Sequence, residues 1–112
     1  MKKIILRFRV KDRQFFHDIK KRVKTVETRA ATKRFRDIET GDIIIFICGK
    51  DKLKMTAKKA RHFKSIDSVI KKVDFKKIMP RVKNITELKR IYYGFPGYRE
   101  KIKKLGLIAI EF

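Results

Sequence analysis

One uninterrupted apolar segment, Ile43-Ile44-Ile45-Phe46-Ile47-Cys48, constrains the fold of this chain more than any other feature. Turn residues bound it on both sides, with Thr40-Gly41-Asp42 before it and Gly49 to Asp51 after it. A short apolar run of this kind, rich in β-branched residues, indicates a strand. Because neither alternating set of its side chains is polar, we expect a central strand that is buried on both faces.

Periodicity predicts the remaining elements around this central strand. The other predicted strands are residues 3–10, 25–31, 53–63 and 107–112, and helices are predicted in 12–23 and in several pieces between 65 and 105. Residues 32–40 form a polar loop, and the last strand is apolar enough that we expect it to pair inside the sheet, next to the first strand. The order strand, helix, three strands, helices, strand predicts an α+β domain with a small closed or half-closed sheet. Its 112 residues correspond to one domain, residues 1–112.

The chain is strongly basic, with 33 Lys plus Arg against 12 Asp plus Glu and a net charge of +21. The excess is spread over both halves of the sequence, so it does not come from a basic tail. Repulsion among these positive charges destabilises the compact folded state, so the composition favours a polyanion as the partner. The alternative is a surface that the lysines only solvate, as in a thermophile. The single Asn and single Gln fit that origin.

Several other classes of site find no support in the sequence. Cys48 is the only cysteine and is expected to be a small core residue in a reducing compartment. The two histidines lie far apart without ligand spacing, so we predict no metal and no other cofactor. No segment is long and apolar enough for a signal peptide or a membrane span, which leads us to expect a cytoplasmic protein.

Lys24, Glu27 and Arg29 lie at the predicted junction between the first helix and the second strand. Side chains alternate along a strand, so Glu27 and Arg29 share one face, and Lys24 precedes them. Glu27 is expected to hold one of the two cations in place, while Arg29 donates a fork to a phosphate or a base edge. The alternative is a solvated ion pair that contributes only about 0–1 kcal/mol.

This segment resembles the signature of ASCH domains, Gly-x-Lys-x-x-Glu-x-Arg, with Arg22 in place of the glycine and Lys24, Glu27 and Arg29 in register. Further similarities follow in the same order along the chain, at Gly41-Asp42 before the apolar strand, at Tyr92-Tyr93-Gly94-Phe95-Pro96 and at the closing segment Leu105–Phe112. The resemblance implies a PUA-like small mixed β-barrel flanked by helices. It also implies RNA binding, with the signature lining a cleft for RNA or a nucleotide.

An enzyme is the alternative that the resemblance implies. Some small members of that family are amidohydrolases acting on N4-acetylcytidine and carry Thr at the position of Glu27, and others are described as ribonucleases. If this chain were such an enzyme, Lys24 would be the candidate catalytic base. DNA is the less expected partner, since no helix-turn-helix pattern is visible.

Residues outside the signature are also candidates for the RNA contact. Lys33, Arg34 and Arg36 are expected to contact phosphates at the mouth of the cleft, and Phe35 to stack on a base or to pack beneath its loop. Among the aromatic residues near the C-terminus, Tyr93 is the one predicted to stack on a base, and the rest are expected to belong to the core or its lid.

Overall fold

The structure, a computed structural model that describes residues 1–112, consists of six strands and six helices. The strands are β1 (Lys3–Phe8), β2 (Val26–Ala30), β3 (Ile43–Cys48), β4 (Asp51–Thr56), β5 (Lys59–Phe63) and β6 (Leu107–Glu111). The helices are α1 (Arg13–Lys20), α2 (Lys33–Arg36), α3 (Ile66–Lys72), α4 (Phe75–Ile78), α5 (Ile85–Gly94) and α6 (Tyr98–Leu105). The predicted α+β class is confirmed.

The strands form two three-stranded sheets, ordered β1-β3-β4 and β2-β6-β5. In the first sheet β1 runs parallel to β3, and β3 pairs antiparallel with β4. In the second sheet β6 is central and antiparallel to both neighbours. The prediction that the last strand pairs with the first is therefore wrong. The apolar β6 does lie inside a sheet, but its partners are β2 and β5.

The sheets are joined at one side and open at the other. Only Ala57 and Lys58 separate β4 from β5, so the chain turns a corner there and passes from the first sheet into the second. At the opposite side β1 and β2 are both edge strands, and no ladder joins them. The six strands thus do not close into a barrel, and the predicted fourth strand over 53–63 is two strands divided at Ala57.

Two apolar cores lie on either side of the second sheet. Ile4, Leu6 and Phe46 of the first sheet pack with Ile108 and Ile110 of β6 in a core between the sheets. Leu107 and Ala109, on the other face of β6, pack with residues of the helices α3 to α6 in a second core. Because β6 contributes to both cores, its residues Leu107 to Ile110 are all buried.

The prediction that β3 is buried on both faces is wrong, because only one of its faces is fully buried. Ile44, Phe46 and Cys48 are buried between the sheets, which confirms Cys48 as a core residue. Ile43, Ile45 and Ile47 on the opposite face remain partly exposed. The strand is central in its sheet but is fully buried on one face only.

The helices begin and end largely where their local signals predict. Ser65 forms a capping box at α3, and the Asn84 side chain accepts a hydrogen bond from the Glu87 amide at α5. The predicted cap Asp12 makes no such side-chain bond, and α1 ends at Lys20. None of the six helices is both long enough and apolar enough to cross a lipid bilayer.

Candidate nucleotide-binding cleft

The open side between β1 and β2 is occupied by a cleft of about 180 Å³. Arg7 and Phe8 of β1 form one wall, and Glu27, Thr28 and Arg29 of β2 form the other. The remaining lining residues come from the turn between β1 and α1, from α1, from the segment before β2, from the end of α4, and from α5, α6 and the segment between them: Arg9, Asp12, Phe15, Lys24, Ile78, Met79, Tyr92, Phe95, Pro96 and Tyr98. The cleft is smaller than the about 300–1,000 Å³ typical of sites for drug-sized ligands, so it suits one ring system.

Lys24 is buried beneath the cleft, with 2% of its surface exposed. Its Nζ donates to the carbonyl oxygens of Val26 (2.8 Å) and Ile78 (2.6 Å), and it lies 3.0 Å from Glu27 Oε1. An ammonium group has three N–H donors, so these three acceptors use all of them. Burial lowers the pKa of Lys24, and the Glu27 carboxylate partly offsets that effect.

Glu27 is also buried and connects the two cations. Its Oε1 lies 3.0 Å from Lys24 Nζ and accepts from the Thr28 amide at 3.2 Å. Its Oε2 accepts a hydrogen bond from Arg29 Nε at 3.0 Å and forms an ion pair with Arg29 Nη2, also at 3.0 Å. Burial alone raises the pKa of this carboxyl group, but the charges of Lys24 and Arg29 outweigh burial and hold the pKa below its usual range.

Arg29 is the cation of this trio that reaches the opening of the cleft. Its guanidinium carbon lies 4.9 Å from the centre of the Phe8 ring, and Glu27 takes the edge formed by Nε and Nη2. Nη1 of Arg29 has no acceptor within the protein. Every buried polar side-chain atom does have a partner, so Nη1 is not buried and is in contact with solvent. One edge of an oriented guanidinium is therefore free to donate to a ligand.

The backbone at Arg22 explains how the trio is brought together. Arg22 has φ 66°, the only positive φ among the non-glycine residues, and lies two residues after the end of α1. The left-handed residue turns the chain so that the amides of Val23 and Lys24 both donate to the Asp18 carbonyl oxygen. Arg22 stands where the ASCH signature has glycine, and glycine is the residue that adopts this conformation without a steric penalty.

Aromatic side chains form the apolar part of the cleft wall. Phe15 packs against Phe8 (6.4 Å between ring centres) and edge-on against Phe95 (6.3 Å), which in turn contacts Tyr98 at 5.4 Å. Arg9 lies over the Phe95 ring and forms an ion pair with Asp12 at 2.6 Å. These rings provide flat apolar surfaces beside the free edge of the guanidinium.

Two tyrosines complete the inner wall. The hydroxyl groups of Thr28 and Tyr92 are hydrogen-bonded to each other, and the Tyr98 hydroxyl accepts from the Ala30 amide at 3.4 Å. Burial raises the pKa of both Tyr92 and Tyr98, so both remain neutral phenols at neutral pH. Their polar groups serve to fix β2 against the helices α5 and α6.

The structure brings together the predicted trio and separates the other predicted site residues from it. Lys33, Arg34, Phe35 and Arg36 lie on the short helix α2, not on a loop, and none of them lines the cleft. Phe35 packs against the core between the sheets, and Arg34 Nη2 donates to the Ile5 carbonyl oxygen at 3.0 Å. Phe35 therefore has a packing role, the second of the two roles predicted for it, and is not placed to stack on a base in the cleft.

Tyr93 is likewise absent from the cleft. It lines a second pocket, between α3, α5 and α6, where the Arg99 guanidinium carbon lies 4.0 Å from its ring centre. Its neighbour Tyr92 points the other way and lines the cleft, because successive residues of a helix face different directions. No group of three or more His, Cys, Asp or Glu side chains is placed to hold a metal ion.

Sequence reasoning missed the contribution of β1 and the following turn. Arg7, Phe8 and Arg9 line the cleft, yet the alternating pattern of residues 3–10 predicts only a strand of the fold. The available signal was an aromatic residue between two arginines at the end of a strand. Phe15 and Phe95 carry no comparable signal, since they become neighbours only through the tertiary structure.

Comparison with known proteins identifies relatives for the whole chain. The crystal structure of hypothetical protein PH0355 is 33% identical, with a TM-score of 0.84, and the match covers 99% of this chain and 96% of that one. The solution NMR structure of protein PF0455 from Pyrococcus furiosus is also 33% identical, with a TM-score of 0.74 and coverage of 97% and 94%. This chain belongs to the family of these two proteins. No family model and no curated protein matches it. The names of the two PH0355-family structures state no activity, so the function is argued from the cleft.

Proposed function

We propose that the protein binds RNA and that the cleft between β1 and β2 holds one of its bases. The observation that carries this proposal is Arg29, which is stacked on Phe8, oriented by Glu27 and free at its outer edge. Two parallel N–H donors match two adjacent acceptors, such as O6 and N7 of guanine or two oxygens of a phosphate. The rings of Phe15 and Phe95 supply surfaces on which a base can stack.

The charge around the cleft supports a polyanionic ligand. Four cationic and two anionic side chains line it, and the anionic ones, Asp12 and Glu27, are already paired with Arg9, Lys24 and Arg29. Arg7 is exposed and has no acidic partner. We assign Arg7 to a flanking phosphate.

We propose that two residues of α2 contact phosphates outside the cleft, and not at its mouth as the sequence predicts. Lys33 and Arg36 are exposed and form neither a hydrogen bond through their side chains nor an ion pair. Their charges are thus available to a backbone that extends beyond the bound base.

We also propose that the PH0355 family is a branch of the ASCH domains, with the two sheets as halves of an opened PUA-like barrel. The trio occupies a cleft, and the position of the signature glycine has the left-handed backbone that glycine favours. Superposition on PUA-domain structures tests this proposal. A different strand order in the superposed sheets would contradict it.

Fluorescence anisotropy with a labelled single-stranded RNA tests the binding function. With about five phosphates neutralised, the logarithm of the affinity should fall with the logarithm of the salt concentration at a slope of roughly −3.5. Arg29→Ala should weaken binding by about 1–3 kcal/mol if the guanidinium contacts a base. Arg29→Lys should lose nearly as much, because it keeps the charge but lacks the fork.

Lys103→Ala is the matched control, since it removes one exposed positive charge from α6 outside the cleft. Its effect should be a small change that is common to all RNA sequences. A flat salt response would contradict RNA binding as a whole. Equal effects of Arg29→Ala and Lys103→Ala would show that the cleft does not contact the RNA. Stronger binding of duplex DNA than of RNA at matched salt would show that the partner is DNA.

The chemistry of the cleft favours binding over hydrolysis. All three donors of Lys24 are used within the protein, and the pKa of Glu27 is lowered, which makes it a weak base at neutral pH. We therefore expect no product from N4-acetylcytidine or from labelled RNA. Turnover that disappears in Lys24→Ala would establish the enzyme instead.

A further inference from the structure

The first sheet has an outer face that carries an apolar stripe. Ile43, Ile45 and Ile47 of β3 and Ile5 of β1 point away from the core between the sheets, remain partly exposed and belong to neither apolar core. The strand register places Ile5 beside Ile45, so the four side chains are contiguous. We call these four residues the isoleucine face.

Positive charges surround the isoleucine face on both sides. On β1, Lys3 pairs with Ile43 and Arg7 pairs with Ile47. On β4, Lys54 pairs with Ile45 and Lys52 pairs with Ile47, while Thr56 completes the row. All four cations are exposed, none forms an ion pair, and no acidic residue shares this face of the sheet.

We infer that the isoleucine face is a docking surface for an acidic amphipathic helix of a partner protein. An apolar stripe between two rows of cations is complementary to a helix whose apolar residues are flanked by carboxylates. The apolar side chains would bury the isoleucines, and the carboxylates would meet Lys3, Lys52 and Lys54.

The dimensions of the face fit a short helix. From Ile43 to Ile47 the strand advances by about 13 Å, at about 3.3 Å per residue. A helix covers that length with about nine residues. The three strands span roughly 10 Å, close to the diameter of one helix with its side chains.

A second copy of the chain and an RNA are poorer occupants of this face. Two copies packed face to face would oppose four cations to four cations, which disfavours that association. RNA bases stack on aromatic rings, and this face has none, whereas the cleft has several. Arg7 also lines the cleft and is assigned there to a phosphate, so the inference relies on Lys3, Lys52 and Lys54, which do not line it.

NMR of the protein with labelled isoleucine methyl groups tests the inference. The probe is a synthetic 14-residue helical peptide with a leucine stripe flanked by glutamates. We expect it to shift the methyl signals of Ile5, Ile43, Ile45 and Ile47 but not that of Ile44, which is buried in the same strand. A peptide with glutamine in place of every glutamate should bind on the order of tenfold more weakly.

Charge reversal supplies the matched variants. Lys52→Glu/Lys54→Glu should weaken binding of the glutamate peptide on the order of tenfold, because each change replaces an attraction with a repulsion. Lys103→Glu/Lys104→Glu on α6 makes the same change in net charge and should leave peptide binding within about twofold. Both pairs of lysines are exposed, and none of the four lines the cleft.

Three results would overturn the inference. One is the absence of shifts at the isoleucine face with the glutamate peptide, and another is equal binding of the glutamine peptide. The third is a single-stranded oligouridine that shifts the same four methyl groups when the peptide does not, which would make this face an RNA surface. Loss of RNA binding in Arg29→Ala reports on the cleft alone, so the two proposals fail separately.

Discussion

The buried trio makes a strong prediction for protein stability, through the substitution Glu27→Gln. Lys24 is 2% exposed and Glu27 is 5% exposed, so the removal of the carboxylate charge leaves the Lys24 ammonium buried without a counterion. Breaking a buried ion pair in this way costs about 3–5 kcal/mol. A domain of this size is stable by only about 5–15 kcal/mol, so the loss is a large part of the total.

Urea unfolding followed by circular dichroism measures this loss. With an m-value of about 1.5 kcal/mol per molar, a loss of 4 kcal/mol moves the midpoint by roughly 2.7 M. Glu39→Gln is the control, because the Glu39 side chain is exposed and has no hydrogen-bond or ion-pair partner. It should change the free energy of unfolding by less than about 0.5 kcal/mol.

A double substitution separates the buried charge from other causes of instability. Lys24→Met/Glu27→Gln removes both charges of the pair, so no ammonium group is left buried without a counterion. The double variant should therefore be more stable than Glu27→Gln alone. If Glu27→Gln is as stable as the parent protein, the trio is hydrated and the reasoning about a closed, oriented guanidinium is refuted.

Further predictions concern pH and two backbone positions. The pKa of Glu27 is lowered in the folded protein, and so is the pKa of Asp42, which accepts two backbone hydrogen bonds. Their stabilisation is therefore complete above the unfolded-state pKa values, about 4.3 for Glu and about 3.9 for Asp, and it is lost as the pH falls through the folded-state values. Acid titrations of unfolding should show a shallower loss below about pH 4 in Glu27→Gln; an unchanged profile would assign the acid sensitivity elsewhere. Gly106→Ala should destabilise the protein by more than about 3 kcal/mol in thermal or urea unfolding, because φ is 75° and the added Cβ would lie 2.2 Å from a backbone oxygen of β5. Gly94→Ala at the end of α5, where a Cβ meets no atom within 4 Å, is the control and should be neutral or slightly stabilising; equal losses would contradict the proposed clash. Arg22→Gly should raise the free energy of unfolding by roughly 0.5–1 kcal/mol relative to Arg22→Ala. Both substitutions remove the side chain, but only glycine relieves the strain of the left-handed backbone. Equal stability of the two variants would show that this backbone is unstrained.

Local sequence determined most of the secondary structure, though not α2 or the division between β4 and β5, and it determined one face of the cleft. Alternation along β2 places Glu27 and Arg29 on the same side of a strand, which is a consequence of backbone geometry alone. Capping residues such as Ser65 and Asn84 fixed the starts of α3 and α5, because their side chains bond to amides only three residues away. These interactions are short-range, so the pattern of residues was enough to predict them.

The tertiary structure alone decided which surfaces meet. Pairing of β6 with β2 and β5, and not with β1, depends on contacts between distant segments that have similar apolar patterns. Tertiary contacts also decide the roles of Phe35 and Lys24. Phe35 packs against the core between the sheets, and Lys24 donates hydrogen bonds to the carbonyl oxygens of Val26 and Ile78. The burial of β3 on one face only was also decided by the tertiary structure. An apolar strand predicts that both faces favour burial, but only packing decides whether another layer is there to cover them.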